Sequence, residues 1–101
     1  MTTTLLPDDD LESLAAAAPD WTLSQDRRSI SRACTFAAFP QGIAFVNTVA
    51  KLAEAMNHHP DIDIRWTMVR CALSTHSAGG LTQLDFDLAK QIDNAFDEAC
   101  A

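Results

Sequence analysis

The chain has 101 residues, a formal net charge of −7 and 48% apolar residues. That length supports one domain, residues 1–101, with a small core, and the low Gly and Pro content argues against an extended disordered chain. Seven scattered Lys and Arg against fourteen Asp and Glu give no basic patch for a phosphate backbone, so nucleic acid is excluded as an expected partner.

The opening stretch MTTTLLPDDD has neither a basic n-region nor a long apolar run. No signal peptide, membrane span or membrane partner is expected, which points to the cytoplasm. A first helix fits Asp8 to Ala18, with acidic residues in its first turn, Leu11, Leu14, Ala15 and Ala18 on one face, and Pro19 as its stop. From Trp21 to Phe36 the pattern changes to a hairpin with a polar centre at Gln25 to Arg28. A principal helix follows from Pro40, with Ile43, Val46, Val49, Ala50, Ala53 and Met56 as its apolar stripe and Pro60 marking its end.

Beyond Pro60 the even positions Ile62, Ile64 and Trp66 alternate, and then the odd positions Val69, Cys71 and Leu73 do. That switch of parity predicts a second hairpin turning near Thr67. The stretch STHSAGG reads as a loop. The remaining residues read as a helix with Leu84, Leu88, Ile92, Ala95 and Phe96 inward, and Thr82 with Asp85 resembles a capping box. The order αββαββα gives an α+β fold: a four-stranded antiparallel sheet with three helices packed on one face. Exposed edge strands in such a sheet invite self-association.

The three cysteines, Cys34, Cys71 and Cys100, are too widely spaced for a metal knuckle or a disulfide framework, and Cys34 and Cys71 read as buried, reduced strand residues. The chemistry concentrates instead at EAMNHHPDIDIRW, residues 54–66. Glu54 and His58 are spaced i,i+4, so carboxylate and imidazole are expected to meet on one helix face near the helix C-terminus, where both effects favour a protonated ring. His59, extended before Pro60, should diverge from His58. The third histidine, His76, stands where the last strand meets its loop. Three histidines raise the question of zinc, but adjacent imidazoles suit that geometry poorly, and no metal is expected. Trp66 can be a core aromatic or a ligand platform; Asp85 can be a simple cap.

The ordered set Glu54, His58, His59, Pro60, Trp66, the STH ending at His76, and Asp85 resembles the signature of the pterin-4a-carbinolamine dehydratase family. Trp21 and AFVNTVAKLAE agree with it. The resemblance implies removal of water from a 4a-hydroxytetrahydropterin, giving the quinonoid dihydropterin and so recycling the pterin cofactor of aromatic amino-acid hydroxylases, with no cofactor or metal. It implies acid/base roles for His58 and His76, with Glu54 orienting and charging its histidine. His59, Pro60, Trp66 and Asp85 would contact substrate. A homodimer or homotetramer is implied as well. Asn57 stands where related sequences carry Asp, and the loop SAGGL has an extra Gly. The alternative is a dehydratase-like binding, assembly or transcriptional cofactor protein with little turnover.

Overall fold

The computed structural model describes residues 4–100. Residues 1–3 and 101, the outermost parts of the expected untargeted N-terminus and of the last helix, lie outside that range. Three helices, α1 (Asp8–Ala16), α2 (Phe39–Met56) and α3 (Gln83–Ala99), alternate with four strands, β1 (Thr22–Leu23), β2 (Ile30–Thr35), β3 (Asp61–Arg65) and β4 (Met68–Leu73). A 3-10 turn spans His76–Ala78. The sheet is antiparallel throughout, in the order β1-β2-β4-β3. The expected α+β architecture is observed.

Alternation along the strands decides which face is covered. Ile30 and Cys34 of β2 and Val69, Cys71 and Leu73 of β4 are buried against the helices, while Ala33, Thr35 and Arg70 are exposed on the other face. The helices contribute Leu11, Phe45, Val49, Ala53, Leu88, Ala89 and Ile92 to that core. Burial lifts the Cys34 thiol to about 11 and the Cys71 thiol to about 12, because an apolar surround disfavours the thiolate.

Several boundaries differ from the sequence reading, each for a physical reason. The helix α1 stops at Ala16, two residues early, because the chain tightens into three-residue turns, the Ala18 N–H donating to the Ala15 carbonyl and the Trp21 N–H to the Ala18 carbonyl. The buried stripe of α2 is Gly42, Phe45, Val49 and Ala53 rather than the stripe through Ile43 and Ala50. The rotation follows from aromatic packing: Phe45 lies 5.2 Å from Phe36 and 6.0 Å from Phe96 between ring centroids, a cluster that outweighs aliphatic periodicity. On α3, Phe86 and Ala89 are buried while Leu84 is only half-buried. Trp66 leaves the expected alternation with Ile62 and Ile64. It sits at φ +53° in the two-residue connection between Arg65 and Met68 and is 79% exposed. Tight hairpin connections demand a positive φ, and here a tryptophan supplies it.

Candidate active site

The end of α2 determines where the histidines go. Asn57 adopts a left-handed conformation (φ +49°), its N–H donates to the Glu54 carbonyl, and the His58 N–H donates to the Ala53 carbonyl. This is the pair of bonds of a Schellman motif. The helix therefore ends at Met56, before Pro60 can act, and Asn57 provides the turn. The chain reverses there, so His58 is no longer one helical turn above Glu54.

The expected Glu54–His58 pair is accordingly replaced. His58 folds inward, is 8% exposed, and places Nε2 2.6 Å from Oδ1 of Asp85. Glu54 meets His59 instead, with Oε2 2.5 Å from Nε2 and both side chains solvated. The two imidazoles diverge as the sequence predicts, each toward a different carboxylate.

Asp85 is more than a cap. Its Oδ2 accepts the Thr82 N–H at 2.9 Å and the Thr75 hydroxyl at 2.8 Å, and it completes a capping box with Thr82 at the start of α3. The Thr75 hydroxyl has one proton, which goes to Asp85, so Thr82 Oγ1 donates to Thr75 Oγ1 across their 2.8 Å contact. An ionised Asp85 is an acceptor only, so the His58 Nε2 carries its proton and Nδ1 is left free for chemistry. Asp85 is wholly buried; the contacts made by this carboxylate are what permit its burial.

Thr75 ties this cluster to the third histidine. Its N–H donates to the Gly80 carbonyl at 2.8 Å, and Gly79 at φ +78° closes the 3-10 turn that begins with His76. Only that glycine among the loop residues takes a left-handed conformation, which suits a residue without Cβ. His76 thus projects from a short, internally bonded loop fixed to the end of β4.

A cavity of about 360 Å³ opens at this end of the sheet. It is lined by His59 and Asp61 at the start of β3, Ala72, Leu73, Ser74 and His76 at the end of β4, Gly79, and Asp26, Arg28 and Ser29 before β2. Of the site residues expected from sequence, His59 and His76 line this space. His58, Glu54, Pro60, Trp66 and Asp85 do not, and Trp66 and Asp85 have the specific placements described above, one in an exposed turn and one buried beneath His58.

The contribution of Asp26 and Arg28 was hidden in what reads as a polar hairpin tip. Ser24 Oγ donates to Asp26 Oδ1 at 2.6 Å, and Asp26 and Ser24 accept the backbone N–H groups of Arg28 and Ser29. The Ser24 hydroxyl, then the Arg28 N–H, hold the Asp26 carboxyl below its ordinary range. Ser74 Oγ donates to the Arg28 carbonyl at 2.7 Å, which anchors this loop to the strand carrying His76. The sequence signal was the run Ser24, Asp26, Ser29, whose side chains favour local backbone capture. Among the described residues, no group of three His, Cys, Asp or Glu side chains is placed to hold a metal ion.

Residues 4–95 match the family Pterin 4 alpha carbinolamine dehydratase, and the chain belongs to that family. A protein of Nocardia farcinica, described as "Putative pterin-4-alpha-carbinolamine dehydratase", is 55% identical over 93 residues, covering 92% of this chain and 96% of the relative. One of Chloroflexus aggregans with the same description is 58% identical over 78 residues, covering 77% and 82%. Among solved structures, a transcriptional coactivator/pterin dehydratase from Brucella melitensis superposes with a TM-score of 0.85 at 28% identity, covering 89% of this chain and 96% of that one. A pterin dehydratase-like protein described as a RuBisCO assembly factor in the alpha-carboxysome shares the fold, with a TM-score of 0.66 at 22% identity over 76% of this chain and 89% of that one. No helix among the described residues is long and apolar enough to cross a membrane.

Proposed function

We propose that the protein dehydrates a 4a-hydroxytetrahydropterin to the quinonoid dihydropterin, a lyase reaction that recycles the pterin cofactor of aromatic amino-acid hydroxylases. The C4a–O bond breaks while an acid protonates the departing hydroxyl to water; a base takes the N5 proton, and its electron pair forms the C4a–N5 double bond. The observation that carries the reading is the cavity shared by His59 and His76, two imidazoles delivered by separate elements to one space.

In this reading His76 is one acid/base group and His58, through its free Nδ1, is the other. Asp85 holds the His58 ring in one tautomer from below, and therefore acts as a positioning residue rather than a substrate contact. His59, held by Glu54, positions the ring beside Pro60. A second assignment has a specific observation in its favour: His59 lines the cavity and His58 does not, which suits His59 as the second acid/base group. Steady-state kinetics of purified protein on the carbinolamine separates the two. His76→Ala lowers kcat by roughly 100-fold in both. Under the first assignment His58→Ala does likewise and His59→Ala chiefly raises KM; under the second these effects exchange. Full turnover in a His58, His76 double variant ends the first assignment, and absence of turnover in the wild-type protein ends the reading altogether.

A dehydratase-like binding or assembly role is the alternative, and the presence of all three histidines and Glu54 speaks for chemistry. Action in the cytoplasm, without metal or cofactor, and as a homodimer or homotetramer, belongs to the same proposal. The unpaired edge of β3 supports the self-association.

A further inference from the structure

A second cavity adjoins the one that holds His59 and His76. Its volume is about 300 Å³, and Leu5 and Leu6 form part of it as they cross the chain that follows the His76 turn, the Leu6 N–H donating to the Leu81 carbonyl at 3.1 Å. Asp26, Arg28 and Gly79 line both spaces and so make a common wall. At Gly79 that wall carries no side chain, and a Cβ placed there would meet no heavy atom within 4 Å. The position a side chain would fill is therefore open.

The two linings differ in kind. Imidazoles and carboxylates converge on the first cavity, whereas the second presents Leu5, Leu6, Leu11 and Leu81. Its charged side chains are Asp8, Asp26, Arg27 and Arg28. Arg27 is matched by Glu12, with Nη2 3.5 Å from Oε1. Asp26 accepts the Ser24 hydroxyl and the Arg28 N–H. The Arg28 guanidinium, by contrast, makes neither an ion pair nor a hydrogen bond among the described residues. Its base is nonetheless fixed. The Arg28 N–H is held by Ser24 and Asp26, and its carbonyl accepts from Ser74. A Cβ at Gly80 would lie 3.0 Å from Leu5 Cδ2 and 3.8 Å from Arg28 Cγ, so leucine and arginine stem close side by side over that glycine. An anchored arginine with a free planar head beside apolar surface suits a carboxylate carried on an apolar group.

The chemistry of the substrate leads to the same place. C4a and C6 of the reduced pterin both flank N5, so a substituent on C6 is rooted next to the atoms that His76 acts on. The turn from His76 ends at Gly79, the open part of the common wall. Asp61 of β3 and Ser31 of β2 both pair with Ala72 of β4, which sets the His59 and Arg28 sides of the first cavity about two strand spacings, roughly 10 Å, apart. A ring seated between His59 and His76 reaches Arg28 through what it carries.

We propose that the second cavity seats the C6 substituent of the substrate and selects one with an apolar body ending in a carboxylate, the body against the leucines and the carboxylate on Arg28. The assignment deepens the dehydratase reading and rests on it. Arg28 is then a specificity-determining residue, and Asp8, at the start of α1, is the opposing charge that limits the affinity.

The test measures dissociation constants by calorimetry for three 7,8-dihydropterins that lack a 4a-hydroxyl: 6-methyl-7,8-dihydropterin, 7,8-dihydropteroate with its aryl carboxylate, and the carboxamide of the latter. Wild-type protein is expected to bind the carboxylate about tenfold tighter than the carboxamide, the scale of one charge-assisted contact open to solvent. The carboxamide should in turn bind more tightly than the 6-methyl compound, through contact with the leucines. Arg28→Gln should bring the carboxylate and carboxamide to equal affinity, and Asp8→Asn, which lies outside the first cavity, should widen their ratio. A ratio taken within one variant cancels any general loosening of the fold. Equal affinity for all three compounds in the wild-type protein, or a ratio that survives Arg28→Gln, overturns the proposal. Discrimination among the tails without turnover of any carbinolamine upholds the subsite and ends the dehydratase reading; failure to bind all three compounds ends both.

Discussion

Two imidazole–carboxylate pairs lie within a few residues of one another in this molecule, and their surroundings are opposite. His58 and Asp85 meet in the interior, with side chains 9% and 0% exposed. His59 and Glu54 meet in solvent, with side chains 57% and 76% exposed. The contact distances are nearly equal, so distance does not rank them. Burial does: in the interior each unmet hydrogen-bonding group bears its full desolvation cost, whereas in water a lost partner is replaced by solvent. The inner pair is also part of a network through Thr75 and Thr82, while the outer pair has only itself.

The largest effect expected from this contrast is on stability. Asp85→Ala leaves the Thr82 N–H, the Thr75 hydroxyl and the His58 Nε2 without their acceptor, a loss of about 3 to 5 kcal/mol on the scale of broken buried pairs. Urea unfolding followed by circular dichroism measures it; a loss below about 1 kcal/mol would mean that water substitutes in the cluster. Asp85→Asn sharpens the point. An amide can accept the two bonds on one side and donate to His58 on the other, provided the ring moves its proton to Nδ1. The fold should survive with a smaller loss, while Nδ1 ceases to be a base. Turnover should then fall although the protein remains folded, if His58 is an acid/base group, and ¹⁵N shifts of the ring report the tautomer directly. A fold-retaining variant with unchanged kcat assigns His58 to structure and the chemistry to His59 and His76.

The thiols repeat the comparison at smaller scale. Cys34 and Cys71 are buried and Cys100 is exposed. A thiol-specific reagent at neutral pH should modify Cys100 quickly in the native protein and all three cysteines only in denaturant. The sign of the pH effect follows from the raised values. In the folded chain Cys71 holds its proton to about 12, against an ordinary 9.0, so its contribution to stability is complete below pH 9.0 and is lost as pH rises toward the folded value. Stability should decline in that alkaline window, less so in Cys71→Ala once the cavity cost is subtracted. A flat profile would show that these thiols are not buried in solution.

What the sequence revealed of this site was its membership, and what it concealed was its partnering. The hairpins, the capping box of Thr82 and Asp85, and the divergence of His58 from His59 were legible because they depend on neighbours within a few positions. The pairing of His58 with Asp85 spans 27 residues and depends on how α3 packs beneath the sheet, so no local pattern encodes it. The expected Glu54–His58 pair extends helical geometry two residues past Met56, where the helix ends. Asn57 is the available signal, since asparagine tolerates the left-handed conformation that ends a helix. Trp66 was misplaced because a turn without glycine or proline gives no composition signal. Arg28 and Asp26 reach the cavity because Ser74 ties their loop to β4, again a tertiary fact.

The smallest effect belongs to Glu54, and it decides whether the outer pair matters at all. Glu54→Gln keeps the length of the side chain and removes its charge. Because both partners are solvated, the pair should contribute no more than about 1 kcal/mol to stability, and less in salt. The melting temperature should therefore change little, and the His58 resonances should not move, since Glu54 touches His59 and not His58. The effect expected is on the placement of His59: without a carboxylate to hold Nε2, the ring samples more rotamers, and part of the cavity wall loosens. If His59 positions substrate, KM should rise by a fewfold with kcat preserved, because an orienting contact acts on ground and transition states alike. If His59 is itself an acid/base group, kcat should fall with little change in KM. Perturbed His58 resonances with an unchanged His59 ring would reverse the pairing described above and restore the one-turn helical contact.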